Sequence, residues 1–475
     1  MNTMSKTPED VIDFIREQGI KAVDLRFIDP LGKWQHFTVP ASQLTVDRFE
    51  SGFGFQGTSA RGWGRGDPAA LRVRPDANSM QIDPVMEVPT LVLLGDVLEG
   101  RSLQSSERCS RAVAVRAESY LRSTGIADSC SVGVQAQFHV LDDLRYANEP
   151  RGAFYAVDSA LASWNSGREE FPNLAHKVRD GGNEGSVMPT DSHHDLRAEM
   201  ALALDDLGVK IARQRMASGT GGQGQIDLCH GSLALQADGL CWLKYVVKNV
   251  ARRAGKVATF MPKPIFGSDG NGLHIHLSLW KQGQPLFAAE NDAGLSEIAL
   301  HFVAGILAHT PAICAFTNAS TNSYKRLAEG DSAPNRVAQT SGSEPWAAVQ
   351  LRSHRRLPGD TRVMFRTADS SGNPYLALSA VLMAGLDGVE RQLEFGAPSD
   401  LWVPESDDSP GRVAMVPDCL EDALDALAGD HEFLLKGDVF RVETIESWVD
   451  WKRNQEVADL RGRPHPYEFA MYHDV

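Results

Sequence analysis

"GLHIHLSLW", Gly272 to Trp280, decides how the second half of this chain folds. Leu273, Ile275, Leu277 and Leu279 alternate with His274, His276, Ser278 and Trp280. A period of two places the first set on one face of a strand and the second on the other. The apolar face calls for a core. The polar face, with two histidines in alternation just after Gly272, reads as the wall of a cleft. Structural histidines held by hydrogen bonds are the plainer alternative, favoured for a lone His and less so for a pair. A second strand reads the same way in "GVQAQFHVLDD", residues 133–143. Gln135, Gln137 and His139 face one side; Ala136, Phe138 and Val140 face the other. Gln there keeps the size of Glu without its charge.

Around these strands lies a chain of 475 residues, 42% hydrophobic and 23% charged, the composition of an ordinary globular protein and long enough for two domains. A formal charge of −15 argues against nucleic acid or an anionic membrane as the main partner. No apolar run is expected to be long enough to span a bilayer. The N-terminus lacks an apolar signal core and starts a helix after Thr7 or Ser5, over residues 8–20. The six cysteines (109, 130, 229, 241, 314, 419) form no Cys-x-x-Cys pair and read as free thiols of a reducing cytoplasm. "AVDLRFID" and "KWQHFTVP" read as strands around the turn "DPLGK", "FESGFGFQGTSARGWGRGDP" as a Gly-rich mobile loop, and "VPTLVLLGDV" as another strand. The expectation is a small β-rich domain over residues 1–104 and an α+β body over 105–475, with strong helices at 238–254 and 374–388.

Six segments carry a resemblance nearly from end to end: "VDLRFID", "YLRSTGIAD", "KYVVKNVARRAGKVATFMPKPIFGSDGNGLHIHLSLW", "TNSYKRL", "NPYLALSAVLMAGLDGV" and "PHPYEFAMY". The chain resembles the type I glutamine synthetases of bacteria. That resemblance implies an α+β fold: a small β-grasp-like domain, then a large body whose curved antiparallel sheet forms a funnel. It further implies a homo-oligomer, a dodecamer of two stacked hexameric rings, with active sites between subunits. ATP would enter one end of the funnel and glutamate the other, with Mg²⁺ or Mn²⁺ between them.

The resemblance also marks departures. Gln135 and Gln137 stand where the family has metal-binding glutamates, as do Ala217, Gln225 and Met364; only the histidine ligand remains, as His274. A divalent ion needs several anionic oxygens, and these side chains do not supply them. Gln56 replaces the ammonium-binding aspartate, Ser332 the flap glutamate, and Gly359 the phosphate-side lysine. Glu344 stands where a cation belongs. Trp402 aligns with the tyrosine that some members adenylylate. Arg326, Arg366 and Gly270 match glutamate-side positions, and Asn322 and Ser278 also match; the arginines could equally hold structural carboxylates. Three functions follow. One is an inactive oligomeric scaffold, without the family metals or ATP, that binds an amino acid or carboxylate or pairs with a partner enzyme. The second is repurposed chemistry, in which His139, Asp227, His230, His274 and His276 hold a transition metal. The third is a divergent γ-glutamyl–amine ligase.

Overall fold

The computed structural model describes residues 5–55, 57, 71–100, 102–169, 173–181, 184–291, 294–329, 333–340, 344–352, 357–394 and 415–475. The first helix, Pro8–Glu17, begins as the sequence signals: Thr7 caps it in a reciprocal capping box with Asp10, and Pro8 takes the first turn, where no N–H is needed. Two strands follow as read, β1 (Ala22–Ile28) and β2 (Trp34–Pro40). The stretch read as a Gly-rich loop is corrected at its start. It holds a short helix, Arg48–Ser51, and strand β3 (Phe53–Phe55), which is three residues long and too short for a period-two signal. Strands β4 (Leu71–Pro75), β5 (Gln81–Ile82) and β6 (Thr90–Glu99) complete a six-stranded sheet in the order β2-β1-β6-β4-β3, with β5 on β6.

The body starts with the helix Ser110–Thr124 and strand β7 (Ser129–Leu141), which carries "GVQAQFHVL". After it come the hairpin β8 (Asp143–Glu149) and β9 (Gly152–Asp158), then β10 (Ile211–Met216), β11 (Gln223–Leu228), the helix Leu233–Arg253 and β12 (Val257–Thr259). "LHIHLSLWK" is β13 (Leu273–Lys281), followed by β14 (Gln284–Pro285), β15 (Arg336–Thr340), β16 (Ala347–Arg352) and β17 (Arg362–Phe365). These build a sheet in the order β10-β11-β7-β13-β17-β16-β15, antiparallel except for the parallel β15–β16 pair. Its apolar face is as read: Ala136, Phe138, Leu273, Ile275, Leu277 and Leu279 are all fully or almost fully buried, packed over the helices Leu233–Arg253, Glu297–Thr317 and Pro374–Glu390.

One expectation is overturned. Glu297–Thr317 is 21 residues long with mean hydropathy 1.7, enough by length and composition to cross a membrane, yet 72% of that window is buried inside the fold. It is apolar all round because other helices surround it.

The N-terminal sheet meets the body helix Leu233–Arg253 at Arg26. Its guanidinium binds Asp24 and Asp83 and lies 4.3 Å from the Tyr245 ring, 5.1 Å from that of Trp242 and 5.2 Å from that of Trp34. Beside it the Asn373 amide donates to the carbonyls of Asp29 and Pro30, at 3.1 and 3.2 Å. A Cβ at Gly32, where φ is +88°, would lie 2.7 Å from the Asn373 backbone, so only glycine fits.

Candidate functional site

Register turns the polar face of the body sheet into transverse rows. Asp227 pairs with Gln135, and Gln135 with His274; Arg213 stands opposite Asp227. The next row has Arg215 opposite Gln225, and Gln225 opposite Gln137. Further along, His276 faces Gly133 on one side and Met364 on the other, and Met364 faces Gln350. Directly opposite residues share a face, so one surface gathers side chains from six strands.

The amides on this face are fully engaged with one another. Gln135 Nε2 donates to Asp227 Oδ2 at 3.2 Å and Gln225 Nε2 to Asp227 Oδ1 at 2.6 Å. Gln225 Oε1 accepts from Arg215 Nη2 at 3.1 Å and from Gln137 Nε2 at 3.4 Å. Gln137 Oε1 accepts the Gly272 N–H at 2.8 Å, and Gln135 Oε1 lies 3.2 Å from His274 Nδ1. Asp227 also holds the Arg213 guanidinium. Neutral amides both donate and accept, so they close this network where a row of carboxylates would repel.

The face is strongly basic. Burial depresses His274 most, and the positive fields of Arg366, Arg326, Arg215 and Arg352 depress it further, to about 3. Burial, His274, His230, Arg362 and Arg352 likewise hold His276 well below its ordinary value. Both histidines are neutral at neutral pH. Arg326 is buried and gives Nη2 to the carbonyls of Thr367 and Ala368. Arg366 Nη1 donates to the Glu344 carbonyl at 2.6 Å. The Glu344 carboxylate accepts the Thr340 hydroxyl. Thus Glu344 bonds Arg366 through its backbone carbonyl, and its carboxylate acts on that guanidinium only through its field. The Nε–H groups of Arg215, Arg326 and Arg366 are buried without an acceptor among the described residues.

The other marked residues fall into place around this face. Ala217 is buried, its N–H on the Gln223 carbonyl at 3.0 Å. Met364 is buried between His276 and Gln350. A Cβ at Gly270 would strike the Pro262 carbonyl at 2.4 Å and the Arg326 stem at 2.7 Å, so glycine lets the loop close on that arginine. Asn322 brackets the Lys263 backbone, and Ser278 Oγ accepts from Trp280 Nε1 at 3.0 Å. Gly359 lies against the Trp280 ring. Gln56, Ser332 and Trp402 lie outside the described residues.

The transition-metal set is corrected. His139 is buried with Nδ1 on Asn271 Oδ1 at 2.9 Å, opposite Gln223 in the sheet. Burial takes it down to about 4. His230 is tied to Arg362 and packs over Gly133; its ring centre is 5.9 Å from that of His276. Asp227 is spent on Arg213 and two amides. His230 lies near His276 and Asp227 shares a row with His274, but among the described residues no group of three or more His, Cys, Asp or Glu could hold a metal ion. Sequence reading missed Arg213, Arg215 and Gln223. The signal was present as alternation in "ARQRM", where Arg213 and Arg215 are two apart.

A β-grasp domain ahead of a body built on a curved, largely antiparallel sheet is the glutamine synthetase fold, and comparison with known proteins places the chain in that family. The glutamine synthetase β-grasp domain matches residues 19–100 and the glutamine synthetase catalytic domain residues 107–472. Among curated relatives, glutamine synthetase of Nostoc sp. is 42% identical over 99% of this chain and the whole of that protein. That of Streptomyces coelicolor is 43% identical, again over 99% of this chain and all of the relative. A solved glutamine synthetase of Plasmodium falciparum superposes with a TM-score of 0.90 at 22% identity, covering 99% of this chain and 100% of that one. A structure described as GmaS without ligand gives 0.78 at 26%, covering 98% and 100%. The chain belongs to the glutamine synthetase family.

Proposed function

We propose that this family member does not run metal- and ATP-dependent glutamine synthesis, and that its funnel holds a carboxylate ligand on Arg326 and Arg366. The observation that carries the reading is the amide network. At positions the resemblance assigns to metal carboxylates stand Gln135, Gln137 and Gln225, bonded to one another's neighbours, with Arg215 donating into Gln225. Mg²⁺ and Mn²⁺ need several anionic oxygens at short range. Here the one aspartate of the row is already committed, and two arginines flank it. A dication beside Arg213 and Arg215 would be repelled by them. The family's Mg²⁺ or Mn²⁺ therefore does not fit these residues. Phosphoryl transfer depends mostly on metal and cationic charge placed around the phosphates. Arg326 and Arg366 retain the planar donor fork that suits a carboxylate, with buried Nε–H groups that lack acceptors among the described residues.

The rest of the reading follows the family. The domain division falls at residue 104, between the end of β6 and the helix Ser110–Thr124, which supports a boundary there. The assembly is a ring-type homo-oligomer in the cytoplasm. The chain acts there as a ligand-responsive scaffold, alone or with a partner enzyme.

The test is a glutamine-formation assay with glutamate, ammonium, ATP and Mg²⁺ or Mn²⁺ on the full chain. No turnover above background is expected. A rate in the ordinary enzyme range, about 1–10³ s⁻¹, contradicts the proposal.

A further inference from the structure

Two glutamines fix the distance between two arginines. Arg215 Nη2 donates to Gln225 Oε1 at 3.1 Å; Gln225 takes Gln137 Nε2 at 3.4 Å; Gln137 takes the Gly272 N–H at 2.8 Å. A Cβ at Gly272 would lie 3.1 Å from Arg326 Nη1. Arg215 and Arg326 thus stand on opposite sides of one short amide bridge. Both have a buried Nε–H without an acceptor among the described residues, as does Arg366. The fields of all three, and of Arg352, reach His274, which lies on the same face. The guanidinium charge gathered here is answered in part, Arg215 by Glu184 and Arg326 by the field of Asp369, and the remaining cationic charge with three Nε–H groups that lack an acceptor among the described residues suits more than one anionic group.

The acids of this region are otherwise occupied. Asp227 receives Arg213, Gln135 and Gln225. Glu184 pairs with Arg215, and the Glu344 carboxylate takes the Thr340 hydroxyl. Asp369, behind Arg326, accepts from the Asn318 amide and the Ser371 N–H. Asp269, in the loop before β13, acts on Lys263. An ammonium group on this face would find each of these acids already engaged.

We infer that the ligand of this funnel is a dicarboxylate without an amino group, one carboxylate on Arg326 and Arg366 and the other on Arg215, which sets the preference. The inference rests on the carboxylate reading above and narrows it. Glutarate and glutamate separate the two, because they differ only in the ammonium group; at about pH 7 both carboxylates of each are ionised.

The experiment is calorimetric titration of glutarate, glutamate and butyrate into the full wild-type chain and Arg215→Gln, with circular dichroism to check folding. Glutarate should bind at least about tenfold more tightly than glutamate, the scale of one charge-assisted contact. Arg215→Gln should weaken glutarate by about tenfold or more and leave butyrate unchanged. If Arg215→Gln does not fold, Arg215→Lys keeps the charge but loses the fork, and a smaller loss confined to glutarate is expected. Glutamate binding as tightly as glutarate, or glutarate unaffected by both substitutions, overturns the inference and leaves the carboxylate pocket standing. No binding of any of the three acids removes the pocket and the inference with it.

Discussion

Gln135 shows why a single amide oxygen and nitrogen matter here. Its Nε2 donates to Asp227, and its Oε1 faces His274 Nδ1. Gln135→Glu would turn the donor into a second carboxylate against Asp227, and should destabilise the fold by about 1–3 kcal/mol, the usual effect of losing a buried partner. It would also place a negative charge beside His274. The imidazolium would then be favoured, so the His274 pKa should rise from about 3. Histidine ring signals followed by NMR across pH would check this, and an unmoved His274 would mean the network is not arranged as described. Arg215 is a different case. Its alternation with Arg213 in "ARQRM" is legible in the sequence, but only the register against Gln225 shows it entering the polar row. Side chains drawn from separate strands meet through pairings that no local pattern contains.

Among the elements, the two long apolar helices Glu297–Thr317 and Pro374–Glu390 cross so closely that glycine is required. A Cβ at Gly305 would lie 2.2 Å from the Ala384 carbonyl and 2.6 Å from Gly388. Gly305→Ala should therefore destabilise the body by about 1–3 kcal/mol through overpacking, read in urea unfolding. His309, on the first of these helices, binds Asp430 at 2.7 Å and Asp387 at 2.9 Å and stacks on Phe433. Burial opposes its charge, but the two carboxylates outweigh burial and raise its pKa above the ordinary value. Lys436 and Arg391 share Asp387 and limit the effect. A raised histidine pKa contributes stability that is complete below about 6.5, the unfolded value, and fades as pH rises through the folded one. His309→Gln should lose most stability relative to wild type on the acid side of that range, and the gap should narrow toward alkaline pH. A gap that widens with pH would contradict the assignment. The strands around "GLHIHLSLW" and "GVQAQFHVL" were legible because one face is core and the other polar, which leaves a clean alternation. Phe53–Phe55 was not, being too short, and Glu297–Thr317 lost its periodicity because it is buried on nearly every side.

At the scale of the whole molecule, the C-terminal helix Pro466–Tyr472 buries none of its residues in its own chain, and Tyr467, Phe469 and Tyr472 are exposed. Tyr146, Phe154 and Tyr155 of the β8–β9 hairpin are exposed as well. Ring assembly would cover such groups, so light scattering should find a large oligomer, and removal of residues 464–475 should reduce its mass. A stable monomer of the full chain would contradict the ring. The family membership was legible in the sequence from long matching segments; that Gln135, Gln225 and Arg215 join one hydrogen-bonded network became visible only with the strands in register. The proposal that this network does not hold the family's metal is the central claim, and direct Mn²⁺ binding tests it most closely. With the full chain titrated against Mn²⁺, with and without ATP, and free Mn²⁺ followed by electron paramagnetic resonance, the free signal should grow in proportion to added metal from the first addition. Stoichiometric uptake of Mn²⁺ at micromolar concentration, strengthened by ATP, would contradict the account.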